Sequence, residues 1–433
     1  MLSITSFPVR ALSGTAIVPA DKSISHRSVI FGALADGVTE VTNLLMGEDV
    51  LSTVAAFRSM GVVIEGPDSG RLLISGTGKF GLQASEKEVN LGNSGTSIRL
   101  LSGLLAGQRF HSRLTGDESL RRRPMGRVVD PLTTMGAVID SSKGCPPLDI
   151  RPSKGLTGIE YHMPVASAQV KSALLLAGLY ADGETLIYEP TPTRDHTERM
   201  LAGFSEGRWQ AGSAIRINGD IALSGRCLEV PGDISSAAFL LVAATICPGS
   251  DLLLPGVGIN PTRSAVLAIL RLMGARIEVS SERLESNEPV CDLRVRSASL
   301  KGIDIPLEFV ANAIDEFPAL AIAAAAASGV TRIRGARELR VKESDRIAAV
   351  VHGLGTLGID AVEYPDGMDI TGGSIGGGSV ESFGDHRIAM AFAVAGCISE
   401  GPVEIREAGN IRTSFPNFSL LVNSIGMNIS ESP

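Results

Sequence analysis

A chain of 433 residues, 44% hydrophobic but only 4% aromatic, is long enough for two domains packed through small side chains. Its net charge of −8 argues against a chain-wide nucleic-acid-binding surface, and its five dispersed cysteines without CxxC spacing argue against a structural zinc site. The longest apolar runs fall well short of the roughly 20 residues that span a bilayer. We therefore expect a cytoplasmic protein that binds neither nucleic acid nor membrane.

The first predicted elements are a short strand ending at Val18 and Pro19, a polar loop, and an apolar helix that ends near Gly37. This outline recurs, so that a polar loop repeatedly opens a helix rich in Ala, Leu and Gly. The N-terminus of a helix presents unpaired N–H groups and partial positive charge, which suit anions. In chain order the six predicted openings are residues 21–27, 93–96, 167–169, 233–236, 315–316 and 385–387.

A second repeated element alternates with the first. It is an amphipathic helix that ends in Met-Gly, Leu-Gly or Ile-Gly and continues into a segment typical of a strand. The glycine stands where a helix C-terminus requires a left-handed backbone conformation. The copies cover residues 51–65, 127–140, 263–279, 346–362 and 415–429, and a blurred sixth covers 198–217.

Together the two elements predict an α/β protein of six units, three in each of two domains. The matching starts at Val18-Pro19 and Val230-Pro231 set the boundaries. We expect one domain at residues 20–227 and the other at residues 1–19 plus 228–433. Short paired crossings between them would permit closure around a ligand.

Cations recur in and beside the predicted loops of both halves. A cation at a helix N-terminus opposes the helix dipole unless an anion offsets both, so the pattern indicates a multiply anionic ligand. Any one of these residues, taken alone, is more often a solvated surface charge. The cations are Lys22, Arg27, Arg121, Arg122, Arg123, Lys171, Arg194, Lys342, Arg346 and Arg387.

The histidines in these loops, His26, His196 and His386, form no HxxxH or HxH pair, so a metal site is not expected. The glycine-flanked stretch at 92–96 matches neither a P-loop nor a dinucleotide fingerprint, and nothing indicates ATP or NAD. Two carboxylates, Asp315 and Glu343, lie among the cations. Each alone is more often a cap or an ion-pair partner, but together they could serve as general base and proton donor.

At these residues the chain resembles the enolpyruvyl transferases over essentially its full length. Any one of the shared motifs is weak, whereas all of them in this order are highly specific. The SAQxK and RxHxE patterns resemble the branch often called class II. The motifs are DKSISHR at 21–27, GNSGT at 92–96, RP at 123–124, SAQVK at 167–171, RDHTE at 194–198, NPTR at 260–263, KESDR at 342–346 and DHR at 385–387.

The resemblance implies two domains of three βαβαββ repeats each, an inside-out α/β barrel, with the active site in the cleft between them. It implies transfer of the carboxyvinyl group of phosphoenolpyruvate to the 5-hydroxyl of shikimate 3-phosphate, with release of phosphate and without metal or cofactor. That reaction belongs to aromatic amino acid biosynthesis. The protein is expected to be a monomer. It is also expected to be inhibited by glyphosate, because Gly95 stands where bulkier residues restrict that inhibitor in some members.

The resemblance also assigns roles to single residues. The implied catalytic residues are Lys22, Asp315 and Glu343. The implied contacts to shikimate 3-phosphate are Lys22, Ser23, Arg27, Ser167, Ala168, Gln169, Arg194, Asp315 and Lys342. The implied contacts to phosphoenolpyruvate are Lys22, Asn93, Gly95, Arg123, Gln169, Lys342, Arg346 and Arg387.

One departure from the family concerns the C-terminal region, where many members carry a Lys just before Thr-Phe-Pro. Here Thr413 precedes Ser414-Phe415-Pro416, and Arg412 lies one position earlier. Two other functions remain open. The sister enzymes that act on UDP-N-acetylglucosamine carry a reactive Cys in the loop matching 121–126, and this loop has none. A non-catalytic repeat scaffold for an acidic partner would not need Asp315 and Glu343 among cations.

Overall fold

The structure, a computed structural model, describes residues 2–207, 209 and 214–432. Within these residues helices and strands are interspersed along the whole chain. The helices are α1 (Lys22–Leu34), α2 (Glu48–Ser59), α3 (Gly95–Ala106), α4 (Glu118–Arg121), α5 (Gly126–Thr134), α6 (Ala168–Gly178), α7 (His196–Phe204), α8 (Ile234–Ile246), α9 (Ala265–Met273), α10 (Leu307–Val310), α11 (Phe317–Ala325), α12 (Arg346–Thr356), α13 (His386–Ala395) and α14 (Phe418–Ser424).

The strands of the first half of the chain are β1 (Ser3–Phe7), β2 (Ser13–Thr15), β3 (Asp36–Thr42), β4 (Val63–Asp68), β5 (Arg71–Thr77), β6 (Val89–Asn90), β7 (Ser112–Thr115), β8 (Val138–Ser142), β9 (Cys145–Arg151), β10 (Leu156–Thr157), β11 (Glu160–His162), β12 (Ala181–Asp182), β13 (Glu184–Tyr188), β14 (Ile215–Asn218) and β15 (Cys227–Glu229). Those of the second half are β16 (Asp251–Gly258), β17 (Arg276–Glu285), β18 (Glu288–Arg296), β19 (Val330–Ile333), β20 (Ala361–Tyr364), β21 (Gly367–Thr371), β22 (Gly378–Glu381), β23 (Val403–Arg406) and β24 (Asn428–Ser432). Short 3₁₀ helices lie at Ala311–Ala313, Arg337–Val341 and Ala408–Thr413.

The chain divides into two compact units. The first unit consists of Ala20–Val230 together with Glu285–Glu288, and the second consists of residues 2–19, Pro231–Leu284 and 289–432. The four-residue tip of the β17–β18 hairpin therefore groups with the first unit, which the sequence did not predict.

Small sheets of two to four strands, most of them mixed parallel and antiparallel, occur in each unit. In the first unit the strand orders are β15-β3-β5-β4, β6-β7-β9-β8, β11-β13-β14 and β10-β12. In the second unit they are β17-β18-β16-β2, β19-β21-β20 and β22-β23-β1-β24. β1 lies between β23 and β24, with Ile4 opposite Ile405 and Ser6 opposite Ile429, so the N-terminal strand is part of the second unit.

Six helices lie in the cores of the two units, α1, α3 and α6 in the first and α8, α11 and α13 in the second. Small or apolar side chains surround them, and nearly every residue of each helix is buried. These helices can approach each other closely only where the facing residues have small side chains or none. A Cβ on Gly103 of α3 would lie 2.0 Å from the carbonyl oxygen of Ala173 in α6. The remaining longer helices, such as α2, α9 and α12, bury one face only.

Two predicted features of the helix boundaries are confirmed in most copies, the polar caps that open the core helices and the glycines that follow the amphipathic ones. Side chains cap five of the core helices at their N-termini, namely Asp21, Ser94, Ser167, Asp233 and Asp385. The glycines that follow the amphipathic helices have the predicted positive φ angles, from 80° to 107°, at Gly61, Gly136, Gly274, Gly358 and Gly426. In the blurred sixth copy, residues 208 and 210–213 lie outside the described part of the chain.

Candidate active site

Lys22 is the first residue of α1 and directly follows the cap residue Asp21, whose carboxylate accepts the N–H of Ile24 at 2.8 Å. The Lys22 ammonium group forms an ion pair with Asp49 in the first turn of α2. The Lys22 side chain retains 18% of its exposure. This cation is therefore both anchored by a carboxylate and accessible to a ligand.

Arg27 is the most thoroughly anchored cation of the first unit, with 3% of the residue exposed. Its Nε donates to Thr197 Oγ1 at 2.7 Å, its Nη2 to Ser172 Oγ at 2.7 Å and its Nη1 to the Ser23 carbonyl at 2.9 Å. Burial lowers the pKa of Arg27 to about 10, although the charge of Glu198 opposes this shift. The three acceptors are uncharged, so they orient the guanidinium group without neutralising it.

Arg194, the other arginine implied to contact the acceptor, precedes α7 in the same RDHTE stretch that supplies Thr197 and Glu198. Its positive charge is one of those that lower the pKa of Arg27, so the two guanidinium groups repel each other. An anion between them would relieve this repulsion.

Lys171, by contrast, is a structural cation. Its side chain is 1% exposed, and its Nζ lies 2.7 Å from Glu198 Oε1 and 3.0 Å from Glu189 Oε2. It also donates to the Thr193 carbonyl at 3.2 Å. Burial raises the pKa of Glu198, and the adjacent Lys171 limits that rise. The charge of Lys171 is therefore used to stabilise two buried carboxylates.

Arg123 approaches the N-terminus of α3. Its Nη2 donates to Asn93 Oδ1, while Asn93 Nδ2 donates to Asp117 Oδ2 at 2.7 Å. A Cβ placed on Gly95 would lie 2.7 Å from Arg123 Nη1 and 2.8 Å from Arg99 Nη1. Two guanidinium groups thus converge at the bare Cα of the first residue of the helix. Such a point attracts an anion.

Gln169 connects the N-termini of α6 and α3. Its Nε2 donates to Thr96 Oγ1 at 3.1 Å, and its Oε1 accepts from Arg99 Nη1 at 2.8 Å. Ser167 caps the same helix by accepting the N–H of Val170, so that Ala168 is the first helical residue. The side-chain amide of Gln169 is thereby fixed in orientation. Arg99 was not predicted, because nothing in its local sequence distinguishes it from a helix-surface arginine.

In the second unit Arg346, at 1% exposure, is the centre of a cluster of carboxylates. Its Nη2 donates to Glu343 Oε2 at 2.6 Å, its Nε to Asp385 Oδ2 at 2.8 Å and its Nη1 to Asp315 Oδ1 at 3.2 Å. Burial by itself would lower the pKa of Arg346, but the three carboxylates raise it above the usual value. Burial likewise favours the neutral form of Asp385, yet the Arg346 charge lowers its pKa overall.

Asp315 lies at the junction of three cations. Besides its bond from Arg346, its Oδ1 is 3.4 Å from Lys342 Nζ, and its carbonyl accepts from Arg387 Nη1 at 2.8 Å. The helix that follows, α11, begins at Phe317, so Asp315 stands just before the cap residue rather than at the cap. All five implied residues of this unit, Asp315, Lys342, Glu343, Arg346 and Arg387, are thus connected by direct contacts.

The C-terminal departure has a clear structural form. Thr413 is 6% exposed and its hydroxyl donates to the Asn410 carbonyl at 2.8 Å. The Arg412 side chain is 58% exposed, and its Nη2 lies 3.8 Å from Glu431 Oε2. In this conformation Arg412 pairs at the surface and Thr413 is a neutral buried residue.

Among residues 2–207, 209 and 214–432 no group of three or more His, Cys, Asp and Glu side chains is arranged to hold a metal ion. No helix in the same part of the chain is long and apolar enough to cross a membrane.

Comparison with known proteins gives the family. The sequence model described as EPSP synthase (3-phosphoshikimate 1-carboxyvinyltransferase) matches residues 8–420. The chain belongs to the EPSP synthase family. A 3-phosphoshikimate 1-carboxyvinyltransferase of Methylococcus capsulatus is 58% identical, with 99% of this chain and 98% of that protein covered. One of Legionella pneumophila is 54% identical over all of both chains.

The fold also agrees with solved EPSP synthases. The structure of EPSP synthase from Acinetobacter baumannii superposes with a TM-score of 0.89 at 50% identity and covers all of both chains. The prediction of an enolpyruvyl transferase with the two-domain α/β fold is therefore confirmed. EPSP synthases are transferases with small-molecule substrates. The roles of single residues in this chain stay predictions.

Proposed function

We propose that this protein transfers the carboxyvinyl group of phosphoenolpyruvate to the 5-hydroxyl of shikimate 3-phosphate, giving 5-enolpyruvylshikimate 3-phosphate and phosphate. One observation carries the proposal. Asp315 and Glu343 bind the same buried guanidinium group, that of Arg346, which arranges two carboxylates and an anion-binding cation within a few ångströms. Acid–base chemistry on an anionic substrate needs this combination.

The acceptor, shikimate 3-phosphate, binds to cations and hydroxyls of the first unit. Arg27 and Arg194 repel each other, so the dianionic phosphate is favoured beside them. Arginine suits this role because its planar fork offers paired donors and does not lose its charge. The shared motifs also assign to the acceptor Lys22, Ser23, Ser167, Ala168, Gln169, Asp315 and Lys342.

The shared motifs assign to the donor, phosphoenolpyruvate, the residues Lys22, Asn93, Gly95, Arg123, Gln169, Lys342, Arg346 and Arg387. Its phosphate and carboxylate each need a pair of cationic donors. Gly95 supports the assignment because the absence of a side chain leaves its Cα open beside the Arg123 and Arg99 guanidinium groups.

In the first chemical step Glu343 gives a proton to the methylene carbon of phosphoenolpyruvate, and C2 becomes electrophilic. The acceptor 5-hydroxyl adds to C2 while Asp315, with Lys22, takes its proton. A proton then leaves the new methyl group, the carbon–carbon double bond re-forms, and the C2–O bond to phosphate breaks. Asp315 and Glu343 share the Arg346 guanidinium group, so their proton steps belong to the pair and not to either residue alone.

We further propose that the protein works as a monomer in the cytoplasm. Five dispersed cysteines, an odd number, are typical of proteins that keep their thiols reduced. Size-exclusion chromatography with light scattering would measure the molar mass in solution. The mass of a dimer at micromolar protein concentration would contradict the proposal of a monomer.

The test of function is phosphate release by the purified protein given phosphoenolpyruvate with either shikimate 3-phosphate or UDP-N-acetylglucosamine. Release with the former alone is expected. Phosphate release with UDP-N-acetylglucosamine would identify the sister activity. Release with neither acceptor would contradict the proposed reaction. In the last case the thermal shift caused by shikimate 3-phosphate would still report whether the acceptor binds.

A further inference from the structure

The four-residue tip Glu285–Glu288 makes specific contacts within the first unit although its flanking strands belong to the second. Ser286 and Asn287 have φ angles of 51° and 68°, which produce the tight turn between β17 and β18. Ser286 Oγ accepts the N–H of Glu229 at 3.0 Å. Asn287 exchanges two bonds with Arg199, since its carbonyl accepts from Arg199 Nη1 at 3.0 Å and its Nδ2 donates to the Arg199 carbonyl at 3.3 Å.

The last residue of the tip, Glu288, is a buried carboxylate. Its Oε1 lies 2.8 Å from His196 Nδ1, and its Oε2 lies 3.8 Å from Arg199 Nε. The Glu288 and His196 side chains are 3% and 2% exposed. A buried ion pair or hydrogen bond of this kind fixes the relative position of its two side chains more firmly than a surface contact does.

His196 is the first residue of α7 and the centre of the RDHTE motif. Immediately after it, Thr197 accepts from Arg27 Nε at 2.7 Å. Two positions before it stands Arg194. The first turn of α7 thus bonds Arg27 and begins two residues after Arg194, and the Glu288 carboxylate binds that turn at its first residue, His196.

Glu288 also acts on this site through its charge. Its carboxylate raises the pKa of Arg27, whereas the charge of Arg194 lowers it. The negative charge therefore offsets part of the repulsion between the two guanidinium groups before the acceptor arrives. Loss of Glu288 would remove this offset and the bond to His196 together.

We propose that Glu288 is a positioning residue of the acceptor site, which acts through His196 and the first turn of α7 on Arg27 and Arg194. The proposal rests on the proposed function for the identity of the acceptor, shikimate 3-phosphate. It assigns a role to a residue that stands outside every family motif and more than 80 residues from the motif it supports.

The experiment compares Glu288→Ala and Glu288→Gln in the full chain, with Ser286→Ala as the matched control on the same tip. Glu288→Ala raises the KM for shikimate 3-phosphate by about tenfold and leaves the KM for phosphoenolpyruvate within about twofold. Glu288→Gln keeps a hydrogen-bond acceptor for His196 and restores most of the acceptor KM. Ser286→Ala leaves both KM values unchanged.

Two results would overturn the proposal. One is an unchanged acceptor KM in Glu288→Ala, even with a lower melting temperature, because that describes a purely structural contact. The other is an equal rise of both KM values. Should the wild-type protein show no turnover, the proposed function fails separately. The melting-temperature shift produced by shikimate 3-phosphate alone still tests Glu288, since it must be smaller in Glu288→Ala than in the wild type.

Discussion

The carboxylate of Glu343 accepts a 2.6 Å bond from Nη2 of Arg346, a cation that also binds Asp315 and Asp385. An anionic substrate that binds Arg346 must therefore compete with Glu343 for the same guanidinium group. A carboxylate displaced from its cation and brought beside an anion gains affinity for a proton. Donor binding would thus prepare Glu343 for its role as proton donor.

Glu343→Gln removes this proton donor while keeping the size and one acceptor of the side chain. We expect kcat to fall by about 10²- to 10⁴-fold, the usual contribution of a general acid, with shikimate 3-phosphate binding nearly intact. Steady-state kinetics and calorimetric titration of the acceptor measure the two effects. Comparable loss of acceptor binding would indicate a structural role instead.

Arg99 and Gln169 should act as one unit, because Arg99 Nη1 donates to Gln169 Oε1 at 2.8 Å. In a double-mutant cycle with Arg99→Gln and Gln169→Ala, we expect the effects on kcat/KM for phosphoenolpyruvate to be non-additive by about 0.5 kcal/mol or more. The exposed Arg151, whose ion-pair partner is Asp140, offers a control pair with Gln169. Strict additivity for Arg99 would mean that the contact has no part in donor binding.

Glyphosate should inhibit this protein in competition with phosphoenolpyruvate, because Gly95 presents no side chain beside Arg123 and Arg99. In Gly95→Ala a Cβ within 2.8 Å of both guanidinium groups would force them to move. We expect a higher inhibition constant for glyphosate and a higher KM for phosphoenolpyruvate in that variant. A wild-type inhibition constant far above the KM for phosphoenolpyruvate would contradict the prediction.

Lys171→Met would leave Glu189 and Glu198 buried without their shared cation. Breaking a buried ion pair by removing one partner costs about 3–5 kcal/mol, so the urea midpoint of the first unit should fall markedly. Lys154→Met, at an exposed lysine, is the control and should shift the midpoint little. Equal midpoints for the two variants would show that the Lys171 network contributes no net stability.

His26 should make folding stability depend on mildly acidic pH. Burial, and then the charges of Lys22 and Arg27, hold its pKa well below 6.5 in the folded state. As pH falls below 6.5 the unfolded chain therefore takes up a proton that the folded chain does not. The free energy of unfolding then decreases, by at most about 1.4 kcal/mol per pH unit, until the folded-state pKa is reached.

The His26 effect is measured by urea unfolding between pH 7 and pH 5.5. His26→Gln should show a shallower loss of stability than the wild type over this range. His162→Gln, whose parent side chain is 73% exposed, serves as the control and should retain the wild-type slope. A slope unchanged in His26→Gln would show that other groups cause the acid sensitivity.

Much of the architecture was predictable because the repeats carry local signals. A capping residue such as Ser94 or Asp385 and a glycine such as Gly274 each act within one helical turn, so sequence alone indicates where helices begin and end. The cluster around Arg346 was partly predictable for the same reason, since Glu343 lies three residues away on the chain. Asp315 was predicted among the cations because it stands at a helix opening, whereas the bond from Arg346 to Asp385 was not predicted.

Contacts between residues that only tertiary packing brings together could not be predicted from the sequence. Asp49 pairs with Lys22, and Glu288 with His196, across 27 and 92 residues, and no local pattern marks either acid as a partner. The structural role of Lys171 was not predicted either. Its two carboxylates make it a core cation, although its motif suggests a place beside the ligand.

The six core helices have a consequence for engineering this protein. Nearly every residue of each helix is buried, and in α1, α3, α6 and α13 the first turn carries residues assigned to substrate. Each of these loops continues directly into its buried helix, so we expect a repacked core residue to shift the loop at the N-terminus of its own helix. Libraries aimed at thermostability should leave these helices alone and vary the half-buried outer ones, where a shift of the backbone stops at the surface.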